Sequence, residues 1–152
     1  MERRKGSKEM ERFSLDSSVV VKWFSEEEDT DKALEIRDAF VEGRIELIVT
    51  PLLFYEVVNA LRYKPDFDLD KLERAIDALF KLHIKVAGFD EMTMKKSAEI
   101  AFNAGVTIYD AIPVAVAEME NAVCITADER TQYSKLRRRY PIVLLKDVAF
   151  FR

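Results

Sequence analysis

Short apolar stretches alternate with longer amphipathic ones along most of the chain. Apolar residues spaced three or four positions apart predict helices, and short apolar runs between turn residues predict buried strands. The pattern predicts strands at 13–16, where a first strand ends, and at 45–49, 84–87, 122–126 and 142–145. It predicts helices at 17–24, 30–41, 51–62, from Asp68 or Asp70 past Phe80, from Asp90 to Gly105, and at 110–120 and 129–139. Strands that alternate with helices indicate an α/β fold, with a mainly parallel sheet of about five strands between two helical layers.

The boundaries of several helices carry recognisable signals. Thr50 can cap a helix whose first position is Pro51. Asp110 is expected to begin a helix with Pro113 in its first turn, and Phe80 is expected to face inward with Leu72, Ile76 and Leu79. Residues 1–11 are mostly charged and lack periodicity, so we expect a mobile tail before a single domain at 12–152.

Composition narrows the function classes. A chain of 152 residues with 49% hydrophobic and 34% charged residues suits one globular core. No apolar stretch reaches the ~20 residues of a membrane span, and the charged N-terminus does not resemble a secretory signal, so we expect a cytoplasmic protein. A formal charge of −4 argues against bulk attraction to nucleic acid.

The few cysteine and histidine residues limit the possible chemistry. Cys124 is the single cysteine and is expected to be a buried small side chain. His83 is the single histidine, which leaves too few nitrogen and sulfur ligands for a usual zinc site. Any reaction must therefore depend on carboxylates, hydroxyls, lysine or arginine.

Four acids lie where a parallel sheet would gather them. Asp16 follows the first predicted strand and Asp128 the fourth, while Asp110 starts the helix that leads into the fourth strand. Ligands of such sheets bind beyond the carboxyl ends of the strands. Each aspartate can also be read as a helix cap.

Glu56 could be an ordinary exposed helix residue, but its apolar neighbours favour a buried position or a cleft. It lies in the second turn of a helix that is apolar almost all round, from Leu52 to Leu61. A carboxylate in such a run needs a cation or a hydrogen-bond donor. Clustered carboxylates are the hard ligands that Mg²⁺ and Mn²⁺ prefer, and two such ions can activate water at a phosphodiester.

Four segments carry a family resemblance: Leu15 to Phe24, Thr50 to Leu61, Tyr109 to Ala111 followed by Ala115 to Glu118, and Ile125 to Asp128. In this order they resemble the PIN-domain family, and within it the VapC-type toxins of prokaryotic toxin–antitoxin pairs. The resemblance implies an α/β/α sandwich that cleaves RNA with Mg²⁺ or Mn²⁺, two ions at full occupancy, and a cognate antitoxin. It assigns the catalytic and metal-binding roles to Asp16, Glu56, Asp110 and Asp128.

The resemblance extends to residues around these acids. Thr126, Asn59 and Glu129 are expected to support the carboxylates or a second ion. One departure is Pro113, where the family more often has an aromatic or aliphatic residue. Basic side chains are the candidate contacts to RNA phosphates: Lys22, Arg62, Arg130, Lys135, Arg137, Arg138 and Arg139. The basic run from Lys135 to Arg139 can also be a solvated helix face. Tyr109, Trp23 and Phe24 are expected to be core residues.

Three alternatives remain open. A receiver-type phosphoacceptor domain would use Asp16, Thr126 and Lys146, but its acceptor aspartate should directly follow the third strand, whereas Asp90 comes after Gly88 and Phe89. A phosphatase with an aspartyl nucleophile would need an acid where Ser18 stands. A PIN domain that only binds a partner would not need all four acids. The apolar early helices and the segment 149–151 predict a homodimer or higher oligomer.

Overall fold

The computed structural model describes residues 10–150. Its strands are β1 (Glu11–Leu15), β2 (Ile45–Val49), β3 (Lys85–Val86), β4 (Val123–Thr126) and β5 (Ile142–Leu144). Its helices are α1 (Ser17–Val20), α2 (Thr30–Val41), α3 (Pro51–Arg62), α4 (Leu69–Lys81), α5 (Glu91–Ala104), α6 (Ile108–Met119) and α7 (Ser134–Leu136). Glu11, the last residue of the predicted tail, belongs to β1, and residues 1–9 of that tail lie outside the described residues.

The five strands form one parallel sheet in the order β3-β2-β1-β4-β5. Phe13 in the central strand is in register with Leu47 on one side and Val123 on the other. The chain builds outward from β1 to β2 and β3, and then crosses back to β4. The order therefore reverses between β1 and β4, which is where ligands bind in sheets of this kind.

Alternate residues of the buried strands feed two separate cores. Leu47 and Val49 belong to a core with α1 to α4, whereas Ile48 belongs to a core with α5 and α6. Cys124 faces the second core and is fully buried, as predicted. These two cores give the predicted three-layer α/β/α arrangement.

Helix capping explains why most predicted boundaries are right. Thr50 accepts a hydrogen bond from the Leu53 backbone amide at 3.3 Å, and Asp68 and Asp90 cap α4 and α5 in the same way. Gly105 ends α5 in a left-handed conformation with φ of 68°.

The predicted start of helix α6 was wrong. It begins at Ile108, two residues earlier than predicted, because Thr107 is the N-cap and its hydroxyl accepts from the Asp110 backbone amide at 3.1 Å. Asp110 therefore lies in the first turn, and Pro113 lies inside the helix rather than in its first turn.

Three further expectations were wrong. The predicted helix at 129–139 is a single π-helical turn, Glu129–Tyr133, followed by the short α7. Phe80 is 59% exposed, although its ring packs on one side against that of Phe54, with centroids 4.9 Å apart. Tyr109 is 63% exposed, whereas Trp23 is buried as predicted and Phe24 is partly buried.

No single helix among residues 10–150 has the length and apolar character of a membrane span. Helices α5 and α6 meet those criteria only when taken together, and they are bent by 118° relative to each other.

Candidate active site at the carboxyl end of the sheet

The structure brings the four predicted acids into electrostatic range of one another. Asp16 follows β1, Asp128 follows β4 by two residues, and Glu56 and Asp110 lie on α3 and α6. All four side chains are half-buried. The site therefore lies at the β1/β4 switch point of the sheet.

The pKa of Glu56 is the most displaced in this group. Burial, followed by the negative charges of Asp16 and Asp110, raises it to about 7. Burial and the charges of Asp16 and Asp128 also raise the pKa of Asp110, although Thr107 and Lys135 oppose this change. Asp110 thus interacts with the other three acids and is the centre of the group.

Two of the acids also act as helix caps. Asp16 accepts from the Ser18 backbone amide at 3.1 Å and begins α1. Asp128 accepts from the Thr131 backbone amide at 3.1 Å and from the Thr131 hydroxyl. The capping interpretation is therefore right for Asp16 and Asp128 and wrong for Asp110, whose helix is capped by Thr107.

The fit of a metal ion depends on donor chemistry and on geometry. Within residues 10–150 no three His, Cys, Asp or Glu side chains are arranged to hold one ion. Mg²⁺ is nevertheless commonly bound by one or two carboxylates, with water filling its other positions. Burial and the charges of the neighbouring acids raise the pKa values of Glu56 and Asp110, and a divalent cation would stabilise their ionised forms. The donor set therefore fits a hydrated divalent cation, with Asp16 and Asp110 as a central pair.

The three residues that were expected to assist the acids differ in their contacts. Thr126 is fully buried, and its hydroxyl accepts from the Asp128 backbone amide at 3.0 Å. Asn59 is exposed on α3. Glu129 pairs with Lys146 at 3.2 Å, so its carboxylate is already neutralised by a neighbouring cation.

The basic residues differ in whether their charged groups already have partners within the protein. Lys135 donates to the Gly105 carbonyl at 3.2 Å, and its charge reaches Asp110. The ammonium group of Lys22 is held by the Glu28 carbonyl at 2.7 Å and by Glu27. Arg62 lies over the ring of Tyr63, and Arg137 lies over that of Tyr133. Three further arginines are exposed: Arg130, Arg138 and Arg139.

Sequence reasoning missed Gln132. Its side chain is fully buried and donates to the Asp110 carbonyl at 3.0 Å and to Asp16 at 3.4 Å. Its position four residues before the buried Leu136 places both on one face. That spacing was the available signal, and the polar character of the segment obscured it.

The fold excludes the receiver-type alternative. Receiver domains have the strand order 2-1-3-4-5, whereas β3 is an edge strand here. Asp90 caps α5 after that edge strand, and Lys146 pairs with Glu129. The acceptor, metal-binding and lysine positions of a receiver are therefore not assembled.

Solved structures with the same fold include several toxin–antitoxin proteins. A toxin–antitoxin complex from Klebsiella pneumoniae aligns with a TM-score of 0.67 and 15% identity over 89% of this chain and 98% of that chain. A protein from Pyrobaculum aerophilum aligns with a TM-score of 0.63 and 22% identity over 90% of each chain. VapBC2 from Rickettsia felis, bound to a DNA fragment from its promoter, aligns with a TM-score of 0.61 and 14% identity over 88% of this chain and 96% of that chain.

No curated protein matches the sequence. The sequence profile of the PIN domain matches residues 14–138, a range that contains all four acids. The protein therefore belongs to the PIN-domain family, whose members are generally nucleases.

Proposed function

We propose that this PIN domain is a Mg²⁺- or Mn²⁺-dependent endoribonuclease and the toxin of a toxin–antitoxin pair. The observation that carries the proposal is the group of four acids at the β1/β4 switch point, in which Asp110 interacts with Asp16, Glu56 and Asp128. The single cysteine, Cys124, is fully buried, and the single histidine, His83, precedes β3 at the opposite edge of the sheet, so we assign the hydrolysis to the carboxylates.

The roles of the acids follow from their surroundings. Asp16 and Asp110 are the proposed principal ligands, because both lie beside the strand-order reversal and repel each other when no cation is present. Glu56 and Asp128 complete the set, and each oxygen of Asp128 keeps a lone pair for an ion beside its hydrogen bond from Thr131. One or two divalent cations would supply the positive charge that activates water and stabilises the leaving oxygen of a phosphodiester.

Basic groups on one side of the acids are proposed to hold the RNA backbone. Lys135 is the best placed of them, because its charge already acts on Asp110. We propose that Arg130, Arg137 and Arg138, which follow Asp128 in the chain, extend this surface, whereas Arg62 is less well placed because it lies at the far end of α3, six residues beyond Glu56. We do not include Lys22 among the proposed RNA contacts, because its ammonium group already pairs with Glu27 and donates to the Glu28 carbonyl. Thr126 is proposed to position the carboxylates. Asn59 and Glu129 are weaker candidates for the same role.

A protein partner is part of the proposal. Structures with this fold include four toxin–antitoxin or VapBC complexes. Large apolar side chains remain exposed near β3, including Tyr55, Phe80 and Phe89. We propose a cognate antitoxin and a homodimer, although Phe150 supports the dimer less than expected because it packs on Phe13 with ring centroids 5.9 Å apart.

The test is a cleavage assay with end-labelled single-stranded RNA and DNA of the same sequence. We expect internal cuts in RNA with Mg²⁺ or Mn²⁺, and none in excess chelator. Asp16→Asn prepared in parallel controls for contaminating ribonuclease. Cleavage that persists in chelator, or that Asp16→Asn retains in full, would contradict the proposal.

A further inference from the structure

Gln132 is the only glutamine in the chain, and its side chain is 0% exposed. It lies on the π-helical turn Glu129–Tyr133, directly after the segment that carries Asp128. Single π-helical turns occur frequently at functional sites. A buried amide must satisfy two N–H donors and a carbonyl acceptor, so its partners show what the side chain is doing.

The partners of Gln132 fix the orientation of its amide group. Its Nε2 contacts the Asp110 carbonyl at 3.0 Å and Asp16 Oδ1 at 3.4 Å, and both of these oxygens are acceptors. The NH₂ group must therefore face them. Its Oε1 then faces the Thr126 hydroxyl at 2.5 Å, and that hydroxyl must donate.

The remaining protons follow by the same reasoning. The Thr126 hydroxyl has given its only proton to Gln132 and accepts from the Asp128 backbone amide. Ser18 Oγ, 3.4 Å from Thr126 Oγ1, must therefore donate to it. The oxygen of Ser18 accepts from the Ala127 backbone amide at 2.9 Å, and the Ser18 backbone amide donates to Asp16.

These bonds close into a ring of Asp16, Ser18, Thr126 and Gln132. The ring joins the end of β1 to the end of β4, and the bond to the Asp110 carbonyl adds the first turn of α6. Each hydroxyl proton has one arrangement that satisfies all the partners. Networks that are fully satisfied in this way hold their members rigidly.

We propose that Gln132 is a positioning residue that fixes the Asp16 carboxylate and the start of α6, and so sets the separation of the two carboxylates at which a divalent cation binds. This inference rests on the proposed function. Gln132 itself is not proposed to contact the cation or the RNA. Residues that orient metal ligands typically contribute 10–100-fold to metal affinity or activity.

The first test compares Gln132→Met with Leu136→Met. Both variants place a flexible apolar side chain at a fully buried position of the same face, but only the first removes the ring. Mn²⁺ affinity is measured by electron paramagnetic resonance of the free ion, and cleavage is measured on single-stranded RNA. We expect Gln132→Met to lose on the order of 10–100-fold in Mn²⁺ affinity and Leu136→Met to stay close to wild type.

The second test needs no variant. Since the chain has one glutamine, labelling glutamine side chains with ¹⁵N gives one pair of NH₂ signals. We expect these protons to exchange slowly with solvent in the metal-free protein, and to broaden on addition of substoichiometric Mn²⁺. Asn121, which is exposed at the opposite end of β4, is the control amide when asparagine is labelled instead.

The outcomes separate the two proposals. A folded Gln132→Met that binds Mn²⁺ and cleaves RNA like Leu136→Met overturns the positioning role and leaves the nuclease intact. Rapid NH₂ exchange in wild type overturns the ring itself, whether or not Gln132→Met folds. A wild type that neither binds Mn²⁺ nor cleaves RNA overturns the proposed function and with it the positioning role, although slow NH₂ exchange would still confirm the ring.

Discussion

Glu56 on α3 lies within electrostatic range of Asp16 at the end of β1, and after burial the charge of Asp16 is the largest cause that raises the pKa of Glu56 to about 7. A glutamate in an unfolded chain titrates near 4.5. The folded, metal-free protein therefore keeps a proton on Glu56 over a range of pH in which the unfolded chain has lost it. This difference makes stability depend on pH.

The first prediction concerns that dependence. A raised pKa in the folded state contributes stability below about pH 4.5, and this contribution is lost as pH rises to about 7. In chelator, the free energy of unfolding should fall across this range by about 1–2 kcal/mol from Glu56, after allowing for solvent screening of a half-buried group. Glu56→Gln should remove that part of the slope and unfold at higher denaturant concentration than wild type at pH 8. Urea titrations of wild type and Glu56→Gln at pH 5 and pH 8 measure this change in the free energy of unfolding. An equal change between the two pH values in both proteins would contradict the assignment.

The second prediction concerns Asp110, whose pKa is raised by burial and by Asp16 and Asp128. Asp110→Asn removes one of the repelling charges without changing the side-chain volume. In chelator at neutral pH this variant should melt above wild type, by roughly 2–4 °C for each kcal/mol of repulsion relieved. Added Mn²⁺ should narrow or reverse the difference, because the ion stabilises wild type more strongly.

Asp68→Asn is the matched control for Asp110→Asn. Asp68 caps α4 and belongs to none of the interactions of the four acids. Asparagine caps about as well as aspartate, so this variant should melt near wild type with or without Mn²⁺. A difference in melting temperature between Asp110→Asn and wild type that does not respond to Mn²⁺ would show that Asp110 is a structural residue and not a ligand of the ion.

The sequence predicted the elements whose ends carry local signals. Helix α3 has its predicted bounds because Thr50 and Pro51 form a cap that acts within one turn. The start of α6 was missed because two signals competed. Thr107 caps the helix, but Pro113 is usual in a first turn and suggested a later start. In the fold, the Pro113 carbonyl accepts from the buried Ser14 hydroxyl at 2.6 Å, a contact between distant parts of the chain.

The sequence was enough to propose the acids of the candidate site, but not the hydrogen bonds that hold them in place. Asp16 and Asp128 follow apolar strands, so the sheet alone brings them to one edge. The bonds of Gln132 to Asp110 and Asp16 span 22 and 116 positions along the chain. Nothing local distinguishes this amide from an exposed polar residue, except its spacing from Leu136.

The third prediction concerns the four acids as a group. Asp16→Asn, Glu56→Gln, Asp110→Asn and Asp128→Asn should each lower RNA cleavage by at least about 10²-fold, comparable to the loss of one key transition-state interaction. Circular dichroism should show that each variant is folded. Two or more variants that cleave like wild type would move the active site elsewhere.

The fourth prediction concerns Lys135, whose charge reaches Asp110. If Lys135 contacts an RNA phosphate, Lys135→Gln should raise KM several-fold and change kcat little. It should also lower the salt dependence of RNA binding by about 0.7 in the log–log slope, as expected for one phosphate contact to single-stranded nucleic acid. Lys95→Gln is the control, since Lys95 is an exposed residue of α5 that pairs with Glu91. Equal effects of the two substitutions would remove Lys135 from the RNA-binding surface.

The most direct measurement is a Mn²⁺ titration of the metal-free protein at neutral pH, followed by electron paramagnetic resonance. Wild type should bind one or two ions per chain in a saturable way, and Asp68→Asn should match it. Asp16→Asn and Asp110→Asn, which remove the proposed central ligands, should each bind at least about 10-fold more weakly. A wild type without saturable binding, or aspartate variants that bind as tightly as wild type, would contradict the assignment of these carboxylates as a metal site.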